Sequence, residues 1–217
     1  MSYSNATRCL IIPGLGNSTS RHWQTRWEFD RDDCRRVELG NWDNPSRSHW
    51  VTKLDLAIAL QAEPVILVAH SLGCLTVAWW SVLAGTDRWP QVVGAMLVAP
   101  PDVEQESNKP GVKRFAPFPR CRLPFPTVVV ASEDDPYCSI TRARFMANRW
   151  GASFLNIGTK GHINADSHLG AWPVGQDILG RLKSGEIGYS HSELETPLTR
   201  SEMLEFERTE WPETWLR

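Results

Sequence analysis

The sequence predicts an α/β fold, with a doubly wound, mostly parallel sheet of about six strands and helices on both faces. Two observations carry this prediction. Short apolar segments alternate along the chain with segments whose apolar residues recur at helical spacing. The segment 65–69 is apolar throughout, as expected of a strand that helices cover on both faces. Because crossover connections between parallel strands are right-handed, this alternation limits the topology to a doubly wound sheet.

The predicted strands and helices alternate along the whole domain. We expect strands at residues 8–12, 35–39, 65–69, 92–98, 127–131 and 153–157. We expect helices at residues 19–29, from Ser46 or Ser48 to Leu60, and at 72–83, 141–150 and 174–182. The strand at 35–39 is polar, which favours an edge position in the sheet.

Two segments depart from this alternation. Residues 100–126 are rich in proline and lack a long periodic run, so we expect a loop or short cap there, with Phe115 and Phe118 as apolar contacts for a substrate. We assign residues 1–183 to the domain and 184–217 to a C-terminal extension. The extension is polar and acidic. We expect it to wrap the domain, to contact a second subunit in a homo-oligomer, or to be partly disordered.

Composition and charge limit the classes of binding partner and the cell compartment that we expect for the protein. The net charge is −2, which gives no electrostatic reason to expect nucleic acid or an anionic membrane as a partner. No apolar run reaches the length of a membrane span, and the N-terminus does not resemble a signal peptide. The five cysteines are an odd number without a Cys-x-x-Cys pair, which favours reduced thiols and a cytoplasmic protein.

The segment 69–73, Ala-His-Ser-Leu-Gly, joins the clearest strand to a predicted helix. Strand, tight turn and helix is the context of a nucleophile elbow, whose usual pattern is Gly-x-Ser-x-Gly; here Ala69 replaces the first glycine. An elbow places Ser71 at a helix N-terminus, where free amides favour a developing negative charge. An ordinary helix N-cap is the alternative role of this serine. The context predicts that Ser71 is a nucleophile.

A nucleophilic serine needs a base and a carboxylate that orients it, and in this arrangement Asp and then His follow the serine along the chain. Asp135 comes just after the strand at 127–131, in an Asp-Pro step that favours an extended conformation. Asp134 is the alternative. The base is predicted to be His162, in a glycine-containing segment after the last strand, with His168 as its alternative.

An oxyanion hole requires two backbone N–H donors. The residue after the nucleophile supplies one of them, which here is Leu72. The glycine-rich turn that follows the first strand supplies the other, and we predict Leu15 as this donor, with Gly16 as the alternative. This turn does not match a phosphate-binding loop, because no Gly-Lys-Ser/Thr follows it.

With these motifs in place, the chain resembles the small serine hydrolases grouped with retinoblastoma-binding protein nine and its bacterial relatives. The similar stretches are residues 13–18, 22–24, 42–45 with Trp50, 70–73, 132–137, 161–164 and 172–173. The resemblance implies a compact α/β-hydrolase fold with a minimal cap, and a triad of Ser71, Asp135 and His162. The Leu-x-Cys-x-Glu motif that binds the retinoblastoma pocket is absent from the sequence, so the resemblance does not imply that partner.

We therefore expect a serine hydrolase that cleaves a small carboxylic ester, thioester or activated amide through an acyl-serine intermediate. No cofactor is expected. No metal is expected either, since His162, Asp166 and His168 lack the spacing of a recognised metal site. The alternative is a non-catalytic protein-binding module that retains the hydrolase fold, because a fold alone does not fix a function.

Overall fold

The computed structural model of the chain describes residues 7–106 and 108–187, which contain one six-stranded parallel sheet. The strand order is β2-β1-β3-β4-β5-β6. The strands are β1 (Arg8–Ile12), β2 (Cys34–Arg36), β3 (Val65–His70), β4 (Val92–Val98), β5 (Thr127–Ala131) and β6 (Ser153–Asn156). Every neighbouring pair is parallel. The predicted fold class is confirmed, as is the edge position of the second strand.

Helices cover both faces of this sheet. They are α1 (Trp23–Asp30), α2 (Arg47–Ala59), α3 (Leu72–Leu83), α4 (Pro110–Lys113), α5 (Ile140–Trp150) and α6 (Pro173–Ser184). The larger hydrophobic cluster lies under α2, α3 and α5, and a second cluster lies under α1 and α6. Successive residues of β3 point to the two clusters in turn, which is why this strand is apolar throughout: Leu67 lies in the first cluster, Ile66 and Val68 in the second.

The chain order of the strands creates a crevice at one edge of the sheet. From β1 the chain crosses to β2 on one side and then returns to β3 on the other side of β1. Connections that leave in opposite directions diverge at the carboxyl ends of β1 and β3. Ligands of open α/β sheets bind at such a switch point, so this crevice is where a site is expected.

Some predicted boundaries differ from the observed ones for local reasons. Helix α1 begins at Trp23 and not at residue 19, because the ring of His22 caps it and accepts a hydrogen bond from the amide of Gln24 at 3.1 Å. Strand β2 ends before the predicted 37–39, since the amide of Leu39 bonds the carbonyl of Val37 at 3.0 Å and bends the chain.

The proline-rich segment 100–126 forms no large insertion, as predicted. Its described residues include the short helix α4, and its aromatic residues anchor it to the domain. Phe115 and Phe118 are fully buried in the core, and Trp79 on α3 donates to the carbonyl of Phe115 at 2.8 Å. The expectation that these two rings contact a substrate is wrong, because the segment uses them to pack against the core.

Beyond Ile187, the predicted C-terminal extension lies outside the described residues. The expectations that it wraps the domain, contacts a second subunit or is partly disordered therefore also fall outside them. Within the described ranges, none of the helices combines the length and the apolar character that crossing a bilayer requires.

Candidate active site

Ser71 occupies the tight turn between β3 and α3. Its backbone has a φ of 54° and a ψ of −127°, a conformation that glycine adopts far more readily than serine. The turn is held by two backbone hydrogen bonds: the amide of Ser71 donates to the carbonyl of Val98 at 2.9 Å, and the amide of Cys74 donates to the carbonyl of Ser71 at 2.9 Å. This geometry lifts the serine side chain out of the sheet and into the crevice.

The glycine of the elbow allows α3 to approach the end of β1. A Cβ atom at Gly73 would lie 2.4 Å from the carbonyl oxygen of Ile12 and 2.7 Å from that of Pro13, so no side chain fits at this position. Ala69, which replaces the first glycine of the usual pattern, is fully buried, and its methyl group is accommodated in the larger hydrophobic cluster.

A continuous chain of hydrogen bonds runs from Ser71 through His162 to Asp135. The Nε2 atom of His162 lies 2.8 Å from the hydroxyl oxygen of Ser71. Its Nδ1 atom lies 2.9 Å and 3.0 Å from the two carboxylate oxygens of Asp135. Since a carboxylate only accepts, Nδ1 carries the proton, and Nε2 is left to accept from the serine hydroxyl. The structure thus brings together the three residues that the sequence analysis singled out.

The neighbouring Asp134 points away from His162. Its carboxylate accepts hydrogen bonds from the hydroxyl of Ser132 and from the amide of Gly161, both at 2.7 Å. These two bonds lower the pKa of Asp134. Asp135 therefore contacts the imidazole, while Asp134 binds the backbone at Gly161, directly before His162.

The alternative base is placed elsewhere. His168 is exposed at the end of a 3₁₀ turn (Ala165–Ser167) and makes no hydrogen bond with Ser71 or Asp135. The side chains of His162, Asp166 and His168, weighed above as metal ligands, do not converge; in the described residues the only group of at least three convergent ligand atoms is that of Cys9, Asp33 and Cys34.

The glycine-rich turn after β1 lies directly against the elbow. A Cβ atom at Gly14 would be 2.7 Å from that of Ser71 and 3.1 Å from the amide nitrogen of Leu72. The amide of Gly16 donates to the carbonyl of Trp42 at 2.9 Å, so it is already occupied. Among the described residues, the amides of Leu15 and Leu72 have no hydrogen-bond acceptor, and both residues line the crevice.

Buried polar groups support the crevice from behind. The side-chain amide of Gln24 on α1 donates to the carbonyls of Ile12 and Val68 at 3.3 Å and 3.1 Å, which satisfies backbone groups where β1 and β3 diverge. The indole of Trp23 donates to the carbonyl of Ile163, directly after His162, at 2.8 Å. Helix α1 therefore fixes the segment that carries His162 as well as the strand ends.

Two further histidines lie beside His162 and line the crevice: His70 packs against His162, and His22 packs against His70. Sequence reasoning gave neither of them a supporting role. His70 is buried and its Nε2 atom donates to the backbone carbonyl of His162 at 2.9 Å. Its ring centroid lies 4.7 Å from that of His22 and 4.9 Å from that of His162. Burial, followed by the neighbouring His22 and His162, lowers the pKa of His70, and burial, followed by Arg36 and His162, lowers the pKa of His22 to about 3. We therefore expect both rings to be neutral near pH 7.

The crevice in front of Ser71 is a cavity of about 540 Å³. The segment 100–126 and the glycine-rich turn both contribute residues to its walls. The lining mixes apolar and polar residues, among them Leu15, Gln105, Lys109, Val112, Tyr137 and Asp166. The ring of Tyr137 meets the His162 ring edge to face at a centroid distance of 4.6 Å. A small substrate of mixed polarity fits a cavity of this size and lining.

Comparisons with known proteins agree with this arrangement. Residues 9–181 match the serine hydrolase family. A structure described as a YdeN-like hydrolase from Pectobacterium atrosepticum is 29% identical, with a TM-score of 0.73 over 85% of this chain and 95% of that one. The ydeN gene product of B. subtilis is 20% identical, with a TM-score of 0.63 over 81% and 98% of the two chains. A search of curated proteins found no match.

The family match includes five of the six strands in full, all but the first residue of β1, and the whole elbow. An α/β hydrolase enzyme from the metagenome of Mar Chica lagoon sediments, 15% identical, shares the fold with a TM-score of 0.61 over 85% of this chain and 94% of that one. The chain therefore belongs to the serine hydrolase family and has the α/β-hydrolase fold.

Proposed function

We propose that the protein hydrolyses small carboxylic esters, thioesters or activated amides through an acyl-serine intermediate. Ser71 is the nucleophile, His162 is the general base and acid, and Asp135 orients the imidazole. The observation that supports this proposal is the uninterrupted hydrogen-bond chain from Asp135 through His162 to Ser71 at the base of an open cavity.

In the first half of the reaction, the oxygen of Ser71 attacks the carbonyl carbon while its proton passes to Nε2 of His162. The carbonyl oxygen becomes an oxyanion, which the amides of Leu15 and Leu72 stabilise by hydrogen bonding. Collapse of this tetrahedral intermediate breaks the bond to the alcohol, thiol or amine. The leaving group takes the proton from His162, and the acyl group remains on Ser71.

In the second half, water repeats the attack. His162 takes a proton from the water molecule as its oxygen bonds the acyl carbon, and the same two amides stabilise the new oxyanion. Collapse releases the carboxylic acid and returns the proton to Ser71. Asp135 stabilises the imidazolium that forms in each half, because its carboxylate accepts from Nδ1 throughout.

A fluorophosphonate probe tests the proposal, because it reacts only with a serine whose nucleophilicity is raised by the surrounding active site. We expect the parent protein to be labelled at Ser71 and to hydrolyse p-nitrophenyl acetate. The variants Ser71→Ala and His162→Ala should lose both properties, whereas Ser48→Ala, at an exposed serine of α2, should keep them. Absence of labelling and turnover in the folded parent protein would favour a binding module with a hydrolase fold.

A further inference from the structure

Two buried thiols face each other far from the nucleophile. Cys9 on β1 and Cys34 on β2 are directly paired in the parallel register, and both are fully buried. Their sulfur atoms lie within 4.8 Å of each other and of a carboxylate oxygen of Asp33. All five cysteines of the chain are free thiols, and this is the only pair of them that shares such a cluster in the described residues.

The charges around the pair distinguish the two sulfur atoms. A hydrogen bond from Cys34 lowers the pKa of Cys9 against the effect of burial, and the positive charges of Lys183 and Arg31 act in the same direction. The same hydrogen bond raises the pKa of Cys34. The thiols of Cys9 and Cys34 each donate to an oxygen of Asp33, at 3.9 Å and 3.6 Å, and the lowered pKa of Cys9 makes it the thiol of the pair that ionises more readily.

The same charges argue against a metal ion. Both oxygens of Asp33 are engaged: Arg31 donates to them at 3.0 Å and 2.9 Å, and Lys183 donates to one of them. Although burial alone would raise it, these bonds lower the pKa of Asp33 to about 2. A divalent cation would have to displace two cations from its carboxylate ligand and would then lie beside them.

We propose that Cys9 and Cys34 form a redox site, at which hydrogen peroxide converts the two thiols into a reversible disulfide between β1 and β2. Paired residues of adjacent parallel strands lie about 4.8 Å apart, within the range of Cα separations that a disulfide spans. Both side chains point into the same hydrophobic cluster, so closure requires rotation of side chains and no change of register.

The chemistry takes place in two steps. The Cys9 thiol gives up its proton, its sulfur attacks one oxygen of the peroxide, the O–O bond breaks, and hydroxide leaves and takes up a proton as water, so that a sulfenic acid forms on Cys9. The sulfur of Cys34 then gives up its proton and attacks the Cys9 sulfur, which expels hydroxide and forms the S–S bond. The two thiols lose two electrons, and the peroxide is reduced to water.

Access to the pair comes from the edge of the sheet. Strand β2 has three residues and, within residues 7–106 and 108–187, a single neighbouring strand, so it opens locally at a lower free energy than the central strands do. The site lies at the start of β1, whereas the glycine-rich turn and the elbow lie at its other end. The disulfide is therefore expected to tie down the edge strand without removing any group of the active site.

The test uses the full chain with Cys121→Ser, which removes the exposed thiol and leaves four. Peroxide treatment, alkylation in denaturant and peptide mass spectrometry should show the loss of two free thiols, one linked peptide pair containing Cys9 and Cys34, and reversal by dithiothreitol. The control Cys74→Ser should leave the linked pair unchanged. The variant Cys34→Ser should abolish it and expose a sulfenic acid on Cys9 to dimedone.

Any of three results would overturn the proposal. In the first, both thiols stay fully open to alkylation under conditions that oxidise Cys121 in the parent protein. In the second, the linked peptides form only when the protein is oxidised in denaturant, and in the third, the reduced protein binds one equivalent of Zn²⁺ that protects both thiols. The last result would identify the cluster as a metal site.

Discussion

His70 holds the backbone of His162: its Nε2 atom donates to the carbonyl oxygen of that residue at 2.9 Å. His70, the residue before Ser71, thus holds in place the histidine that hydrogen-bonds to Ser71. His70 is buried at the end of the central strand β3, so its hydrogen bond connects that strand to the segment around His162, which follows the edge strand β6. We therefore expect this bond to maintain the distance between the serine hydroxyl and the imidazole.

We expect His70→Phe, which keeps a ring but removes the donor, to lower kcat on p-nitrophenyl acetate by about 10²-fold, because a small displacement of a catalytic group has an effect of this size. KM should change little. His70→Gln, which restores a donor, should recover most of the loss. A Phe variant as active as the parent protein, or a Gln variant as impaired as the Phe variant, would show that the bond does not position His162.

The two adjacent carboxylates should differ in their effects on turnover. Asp135→Asn removes the acceptor that fixes the tautomer of His162, and kcat should fall by about 10⁴-fold. Asp134→Asn keeps an oxygen that accepts from Gly161 and should cost far less. The measurement is kcat for both variants with one ester. The reverse ranking would assign the orienting role to Asp134 and contradict the observed contacts.

The size of the cavity predicts a preference for short acyl groups. The wall from segment 100–126 is partly polar, with Gln105 and Lys109 beside Val112, so it offers no extended apolar groove. Where such a groove exists, each buried methylene contributes about 0.8 kcal/mol, or about fourfold in kcat/KM. In a series of p-nitrophenyl esters, kcat/KM should stop rising after a few carbons and then fall. A steady rise to long-chain esters would exclude this preference.

The neutral, buried His22 makes stability depend on pH. Its pKa is about 3 in the folded protein and about 6.5 in the unfolded chain, so between these values the unfolded state binds one proton more. The free energy of unfolding therefore falls as pH falls below about 6.5, by up to about 1.4 kcal/mol per pH unit from this residue. The lowered pKa of His70 acts in the same direction.

Urea unfolding at several pH values between about 7.5 and 5 measures this slope. The variant His22→Asn keeps an N-cap for α1 but does not titrate, and it should flatten the slope by up to one proton. An unchanged slope in His22→Asn would show that this ring does not remain neutral in the folded protein.

The sheet and the elbow were predictable because their signals are local. The apolar run of β3 reports burial on both faces, and the glycine at position 73 reports a close approach of α3 to β1, since a Cβ atom there would lie 2.4 Å from the carbonyl oxygen of Ile12. The choice of Asp135 over Asp134 depended on the Asp-Pro step. Each of these features can be judged within a few residues of sequence.

The supporting contacts could not be predicted in this way, because they join residues far apart in the chain through backbone atoms. The partner of His70 is a carbonyl 92 residues later, and that of the Trp23 indole is a carbonyl 140 residues later. A carbonyl leaves no trace in the identity of the residue that carries it. Phe115 and Phe118 were misjudged for a related reason, since an apolar ring in a loop suits either a pocket or the core.

The positive φ of Ser71 lowers the folding stability of the protein at the position that the proposed chemistry requires. A non-glycine residue held in such a conformation destabilises the fold by about 1–3 kcal/mol, and glycine does not bear this cost. Ser71→Gly should therefore melt at a higher temperature than Ser71→Ala, although both variants lack the proposed nucleophile. Equal melting temperatures would show that the conformation of Ser71 carries no such cost. If Ser71 is the nucleophile, as proposed above, the protein gives up part of its folding stability for its activity at this one position.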